Sequence, residues 1–533
     1  MAVVDPYRSD KSYHWDIRNA AEDDMPGVIE CDVVISGTGA GGGICAEILS
    51  QAGLRVILLE EGGLQTSTDF RMKEGEAYDN LYQQGAARAT KDGAITILQG
   101  RTVGGSTTVN WTSSFRTPEQ TLKHWQDVFG VKHSAESLDS SFSWVEQRLN
   151  ITRWDVAPNR NNQLLADGCQ NAGWSWKSIP RNIKGCWNLG YCGMGCPSNA
   201  KQSMLVTTIP ASLEAGATLI TRARAEKLII KADQVDYLAV QPIDRYGKPL
   251  EQSFLIKARR YILAAGAIGS PAILLRSSAP DPYNRVGKRT FLHPVCMSVA
   301  VMPDKVEGYY GAPQSVYSDH FLWRDGVEGE LGYKLESTPL HPVFTSLFAL
   351  GHGDTFKARM QQLPRMQSTI ALMRDGFHEQ SQGGQVLLNS DNTPVLDYPL
   401  NDYLWKGIRD SLLTMAELQF SAGAASVRPV HQLAKRGGSW PEVREVISNL
   451  PMERFKMPLG SAHVMGGCAM GENEKLSVVN SEGQHHQLEN LSVIDGSVFP
   501  TSIGANPQES VYGLAAVMAD SLCNHERLTL YMY

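Results

Sequence analysis

The chain has 533 residues, 42% of them hydrophobic and 20% charged, with a formal net charge of −7. This length allows two or three domains with sizeable cores, and an acidic balance without a basic stripe argues against a nucleic-acid partner. No apolar run approaches the roughly 18–20 residues of a membrane-spanning helix, and the opening "MAVVDPYRSDKSYHWDIRNAAEDDMPG" lacks the apolar core of a secretory signal, so a cytoplasmic protein is expected.

The first informative element is "DVVISGTGAGGGICAEILSQAGLRVILLEEGG", from Asp32. Val33 to Ile35 predict a short buried strand, Ala40 to Ala52 a helix, and Arg55 to Leu59 a second buried strand. Gly37, Gly39 and Gly42 fall on a G-x-G-x-x-G frame between the first strand and the helix. Such glycines permit a tight turn, a close approach of backbone to a pyrophosphate, and close helix–strand packing. Phosphate then sits at the helix N-terminus, where the dipole favours negative charge. Glu60 follows the second strand, about twenty residues on, where an acid holds ribose hydroxyls. The unit predicts a dinucleotide site and leaves the dinucleotide open. Glu61 reads as a solvated loop acid.

From 64 to 94 the sequence is polar and irregular, suited to a lid over the cofactor. "LQGRTVGGSTTVNWTSSFRTP" brings a second glycine turn at Gly104 and Gly105, then small residues where backbone would touch a flat ligand. Thr117-Pro118-Glu119 starts a helix with proline at its first position. "GCWNLGYCGMGCPSNAKQS" gathers Cys186, Cys192 and Cys196. Their spacing lacks the C-x-x-C step of common zinc and cluster sites, which leaves buried thiols, one disulfide or an iron–sulfur cluster as readings. The total of nine cysteines is odd and mostly scattered, so no disulfide framework is expected.

From Ala217 to Ala265 the pattern is β, with a turn at "DRYGKP", and "YILAAGAIGSPAILLRS" is a third strand, small-residue turn and helix. Residues 309–454 mix β and helical patterns and carry no glycine fingerprint. Within them "PLHPVFTSLFALG" (Pro339 to Gly351) reads as core, with a substrate portal or membrane-dipping loop as the alternative. "SAHVMGGCAMG" places His463 ahead of a glycine turn, with Cys468 as a packing residue. In "NLSVIDGSVFPTSIGANPQESVYGLAAVMADSL" a strand meets an Asp495-Gly496 turn, and Asn506 is placed to cap a helix with Pro507 in its first turn. His485 and His486 read as a solvated loop.

In chain order, GTGAGG, LEEGG, GRTVGGSTTVN, AAGAIGSPAIL, HVMGGCAMG and VIDGSVFP…NP resemble the glucose–methanol–choline family of FAD-dependent oxidoreductases, over most of the chain. "VGKRTFLHPV", the Cys loop and "GANPQESVYGLAA" look most like its long-chain alcohol oxidases and dehydrogenases, and the surroundings of HVMGGCAMG also resemble cholesterol oxidase. The resemblance implies an α/β fold: a Rossmann-like FAD-binding domain with a discontinuous antiparallel-sheet substrate domain. Residues 28–150, 211–308 and 455–533 would build the FAD part, and 151–210 and 309–454 the substrate part.

The same resemblance implies FAD held by Gly37, Gly39, Gly42 and Glu60 on its ADP half. Gly104, Gly105, Ser106 and Asn110 of the second glycine block would also contact it, with Asp495 and Gly496 at the ribityl chain and pyrophosphate. The helix after Asn506 would point its N-terminal dipole at the flavin. Some members attach FAD to a histidine just before the Asn of the GGS block; Val109 stands there, so non-covalent FAD is expected. The implied reaction turns a primary alcohol into an aldehyde, with His463 as base, Asn506 orienting the alcohol oxygen, and flavin N5 taking the hydride. A medium- or long-chain aliphatic alcohol is the expected substrate, ahead of an aryl alcohol or a sterol. Oxygen, a quinone and a cytochrome stay open as acceptors, as does a peripheral membrane contact, and no metal site is expected. Two further readings stand beside this one. One is the flavoprotein subunit of a membrane electron-transfer complex with a cluster on the Cys loop. The other is a flavin-binding scaffold or sensor, against which the presence of both His463 and Asn506 argues.

Overall fold

A computed structural model describes residues 3–531, the side chains of Lys11 and of 525–531 aside. The apolar run Val33–Ile35 needs cover on both faces, the mark of a parallel strand, and lies at the centre of an eight-stranded sheet. Its strand, Val28–Ser36, has Val56–Leu59 and Phe254–Leu263 as parallel neighbours. Beyond Val56–Leu59 come Thr218–Thr221 and Asp16–Asn19. On its far side Phe254–Leu263 pairs with the antiparallel hairpin of Ala223–Lys231 and Gln234–Pro242, then at Tyr261–Leu263 with the parallel strand Leu491–Val493. Helix Ala40–Gln51 buries Ile44, Cys45 and Leu49 and is itself covered by the long helix Gln508–Tyr531. Distant parts of the chain thus share one sheet.

A second eight-stranded sheet runs Ile95–Ile97, Leu459–Ser461, Val295–Val301, Met366–Met373, Tyr333–Glu336, Val316–Ser318 and Lys177–Ser178, with Ser426–Pro429 also paired to Val295–Val301. It is antiparallel except where Leu459–Ser461 meets Ile95–Ile97. Its register sets Val295 opposite Leu372 and Leu372 opposite Lys334; Met297 lies opposite Ile370 and Ile370 opposite Glu336. Directly opposed residues share a face, so the apolar strip Val295, Met297, Ile370 and Leu372 is continuous with the charged pair Lys334 and Glu336. The other face, with Cys296, Ala300, Leu335, Ala371 and Met373, packs on helix Asp402–Ser421.

The stretch 64–94 is more regular than its polar composition predicts, since it contains the helix Glu74–Leu81. The Glu74 carboxylate accepts from the backbone N–H groups of Val343 and Phe344, at the start of the eight-residue helix Pro342–Ala349. At its other end Arg359 and Arg428 donate to the carbonyls of Phe348, Ala349 and Leu350. An anion at the N-terminus and cations at the C-terminus both suit the helix dipole. They hold in place a helix too short to be stable alone. Helix Glu119–Phe129 takes Pro118 at its cap rather than its first turn. Among the described residues no helix is long and apolar enough to cross a membrane.

Candidate active site

Three glycine turns converge at the C-terminal ends of the parallel strands. The helix after the first turn has Gly39 at its N-cap with no side chain capping it. A Cβ built on Gly39 would meet nothing within 4 Å, whereas one on Gly41 would lie 1.9 Å from the Ile494 carbonyl oxygen. Backbone N–H groups there face open space with the helix dipole behind them, a fitting seat for a pyrophosphate. The second turn is pressed onto the first: a Cβ on Gly105 would fall 2.8 Å from Gly39 Cα. The N–H of Gly104 donates to Thr38 Oγ1 at 3.0 Å, and that hydroxyl in turn donates to Glu60. The third turn is tied by Asp495, which accepts from Gly266 N–H at 2.8 Å and from Ser270.

The residues present therefore fit a dinucleotide such as FAD. Gly37, Gly39 and Gly42 form the first turn, with Glu60 at its floor, 6% exposed. Burial pushes the Glu60 carboxyl up to about 7, against the hydrogen bonds from Thr38 and Gly62. Ser106 is exposed on this side and accepts from the N–H of Gly100. Asn110 donates to Gln508, the first residue of the long helix, at 2.6 Å. The expectation for Asp495 is modified, because its carboxylate is spent on Gly266, Ser270 and Ser497. Asp495 and Gly496 do lie beside the first turn, where a Cβ on Gly41 would come 3.2 Å from Asp495 Cα.

A cluster of buried polar groups lies between the second sheet and residues 110–115. His463 Nδ1 is 2.9 Å from His293 Nδ1, with the ring planes 85° apart. His463 as a residue is half-buried, and His293 is only 2% exposed. Burial of the imidazole and then the Lys334 charge push His463 down to about 3; burial, His463 and Lys334 hold His293 well below the usual histidine range. Both rings are neutral at physiological pH. Asn506, 5% exposed, accepts through Oδ1 from Lys334 Nζ at 2.7 Å, and its Nδ2 lies 3.4 Å from Glu336 Oε2. Lys334 pairs with Glu336 at 3.0 Å, and burial lowers the lysine despite that carboxylate. Behind them Gln314 donates to Glu336 at 2.5 Å and Ser113 to Gln314 at 2.9 Å.

His463 and Asn506, both singled out in the sequence, each lie near Lys334, while several neighbours differ from expectation. Asn506 was expected to cap the last helix. The helix instead starts at Gln508, and the Asn506 amide turns toward Lys334 and Glu336. Glu61 is half-buried and ion-paired to Arg224 at 3.0 Å, not a solvated loop acid. His485 is 5% exposed, so its loop is packed rather than solvated. Cys186, Cys192 and Cys196 are free thiols, and among the described residues no group of three histidines, cysteines or acids is arranged to hold a metal. The Cys loop is instead bound to the second glycine block by Lys201, which donates to the carbonyls of Thr108, Asn110 and Cys192. His293 stood out in the sequence only as part of "VGKRTFLHPV", without a role, and Lys334, Glu336 and Gln314 did not stand out at all.

Family models for GMC oxidoreductases match residues 78–295 and 380–515. The chain belongs to the GMC oxidoreductase family. It is an FAD-dependent oxidoreductase acting on alcohols. A long-chain-alcohol oxidase of Arabidopsis thaliana is 30% identical over 510 residues, covering 91% of this chain and 68% of that protein. An uncharacterized GMC-type oxidoreductase of Mycobacterium tuberculosis is 30% identical over 501 residues, 93% of this chain and 76% of that one. Among solved structures, Aspergillus oryzae formate oxidase superposes with a TM-score of 0.71 at 16% identity, covering 95% of this GMC chain and all of the other. Pyridoxine 4-oxidase from Mesorbium loti gives a TM-score of 0.64 at 17% identity, over 92% of this chain and 99% of that one. At such identities these two speak for the fold.

Proposed function

We propose that this GMC oxidoreductase oxidises medium- or long-chain primary alcohols to aldehydes on non-covalently bound FAD, with His463 as base and Asn506 holding the alcohol oxygen. The observation that carries the reading is the continuity of the sheet face. The polar centre at Lys334 and Glu336 runs directly into the apolar strip Val295, Met297, Ile370 and Leu372. That strip packs against Phe344 and Phe348 of helix Pro342–Ala349, and Phe344 in turn meets Trp111 edge-on at 6.2 Å. A hydroxyl would lie at the polar end and an alkyl chain along the strip. The long-chain-alcohol oxidase relatives support the same substrate class.

FAD supplies the hydride acceptor when bound; Gly37, Gly39, Gly42, Glu60, Gly104, Gly105, Ser106, Asn110, Asp495 and Gly496 are the residues we assign to it. His463 must receive the hydroxyl proton on Nε2, so its Nδ1 carries hydrogen and donates to His293 Nδ1. His293 then bears its own proton on Nε2, a buried atom without a hydrogen-bond partner in the protein. An imidazole held this low is a weak base at rest. It strengthens as negative charge develops on the substrate oxygen, which favours the imidazolium formed when Nε2 takes the hydroxyl proton. His293 stabilises the resulting imidazolium by accepting its Nδ1–H. A charge-assisted bond of this kind is worth about 1.5–3 kcal/mol, so His293→Leu is expected to slow flavin reduction roughly 10–100-fold with FAD content unchanged. Stopped-flow absorbance reads both, and an unchanged rate removes His293 from the mechanism.

Val109, which is 5% exposed, offers no nucleophile to the flavin. Acid precipitation is therefore expected to release yellow FAD into the supernatant; flavin retained in the pellet would disprove the non-covalent assignment. The function as a whole is tested anaerobically. Decanol should bleach the bound flavin, and added oxygen or quinone, whichever restores the colour faster, names the acceptor. No bleaching by any alcohol in the panel would overturn the reading.

A further inference from the structure

Lys334 is a charged group at the reaction centre to which alcohol oxidation has so far given no task. Its side chain is 3% exposed and its partner Glu336 is fully buried. The ammonium lies 3.3 Å from the Phe115 ring centroid and 4.5 Å from that of Tyr317. Burying such a pair is costly, and well-packed apolar side chains of similar volume often stabilise a protein as well or better. The neighbours Ile370 and Leu372 on the same face show that apolar residues fit here. Fold stability alone therefore gives no reason for a lysine.

We propose that Lys334 is a positioning residue of the reaction: its ammonium holds the Asn506 amide by the oxygen and fixes a positive charge beside the imidazole of His463. This rests on the alcohol-oxidation reading above. Lysine can only donate, so it must meet Oδ1 of Asn506, and the Glu336 carboxylate can only accept, so it faces Nδ2. The amide is thereby prevented from flipping, and the second N–H of Nδ2 is left to face the alcohol oxygen. The charge has a separate effect. The titratable groups facing His463 are His293, at 2.9 Å, and Lys334, with Glu336 behind the lysine. A fixed cation disfavours a second one on the imidazole, so His463 stays unprotonated, and able to take a proton, well into acidic solution.

The test uses the FAD-loaded protein and the double variant Lys334→Met/Glu336→Gln, which removes the charge without leaving a buried carboxylate unpaired; the introduced amide oxygen still accepts from Gln314. Two quantities are followed: anaerobic flavin reduction by decanol from roughly pH 3 to 8, and ¹⁵N-histidine spectra across the same range, with His463 assigned by its loss in His463→Ala. The expected result is a roughly 10–100-fold slower reduction, with an acid limb that lies at higher pH than in the wild-type protein. The His463 titration should move upward by about one unit or more. The sign follows from the charge: without Lys334 the imidazole protonates at higher pH, so the base is lost at higher pH. Lys334→Arg, which keeps the charge, should keep the wild-type titration even if the rate falls. A double variant with the wild-type pH profile and titration would show Lys334 to be merely structural. If no alcohol reduces the wild-type flavin, the alcohol-oxidation reading fails, and the titration still decides whether Lys334 governs His463.

Discussion

Replacing His463 with alanine is expected to slow flavin reduction by decanol by roughly 10²–10⁴-fold, the usual worth of a general base. The site offers few substitutes. His293, the nearest other imidazole, is more deeply buried and held well below the usual histidine range. Lys334 is charged and already engaged by Asn506 and Glu336. FAD content should stay near wild type, because the residues cradling the cofactor belong to the glycine turns and not to the loop that carries His463. Stopped-flow absorbance measures the rate, and the flavin-to-protein absorbance ratio measures the loading. Fast reduction combined with lost flavin would make His463 a structural residue and place the base elsewhere.

The second large effect is a chain-length dependence. Each methylene buried along the strip from Leu372 to Phe348 should contribute about 0.8 kcal/mol, close to fourfold in kcat/KM. Butanol and decanol differ by six methylenes, so kcat/KM should rise by up to roughly 4 × 10³-fold between them, then level off once the strip is covered. Part of that gain is offset by ordering the alkyl chain, so the slope is an upper bound. Benzyl alcohol would fall between the two, because a ring fills only the near end of the strip. Initial rates across butanol, hexanol, decanol, benzyl alcohol, cholesterol and glucose decide the matter. A flat aliphatic series, or a preference for glucose, would sink the long-chain assignment while leaving the flavin chemistry intact.

The dinucleotide half was legible in the sequence because its function depends on backbone. A turn that must pass within contact distance of another backbone, as Gly41 passes the Ile494 carbonyl, admits glycine and excludes everything else. Such requirements leave a local pattern in the chain, and the flanking strand and helix follow from apolar spacing a few residues long. His463 and Asn506 could be singled out because each stands a few residues from such a turn in the sequence.

The sequence by itself thus determined the parallel sheet, the glycine turns and the family. Only the tertiary structure decided what stands beside His463 and Asn506. "YKLE" alternates apolar and charged residues, which for an antiparallel strand normally means a core face and a water face. Here Tyr333 and Leu335 do face a core, but Lys334 and Glu336 turn toward residues 113–115 and Asn506, far away in the chain. In the same way His293 meets a histidine 170 residues distant. Whether a charged strand face meets solvent or a second domain is settled by the packing of whole sheets. That packing minimises exposed surface over the entire molecule, and no short stretch of sequence records it.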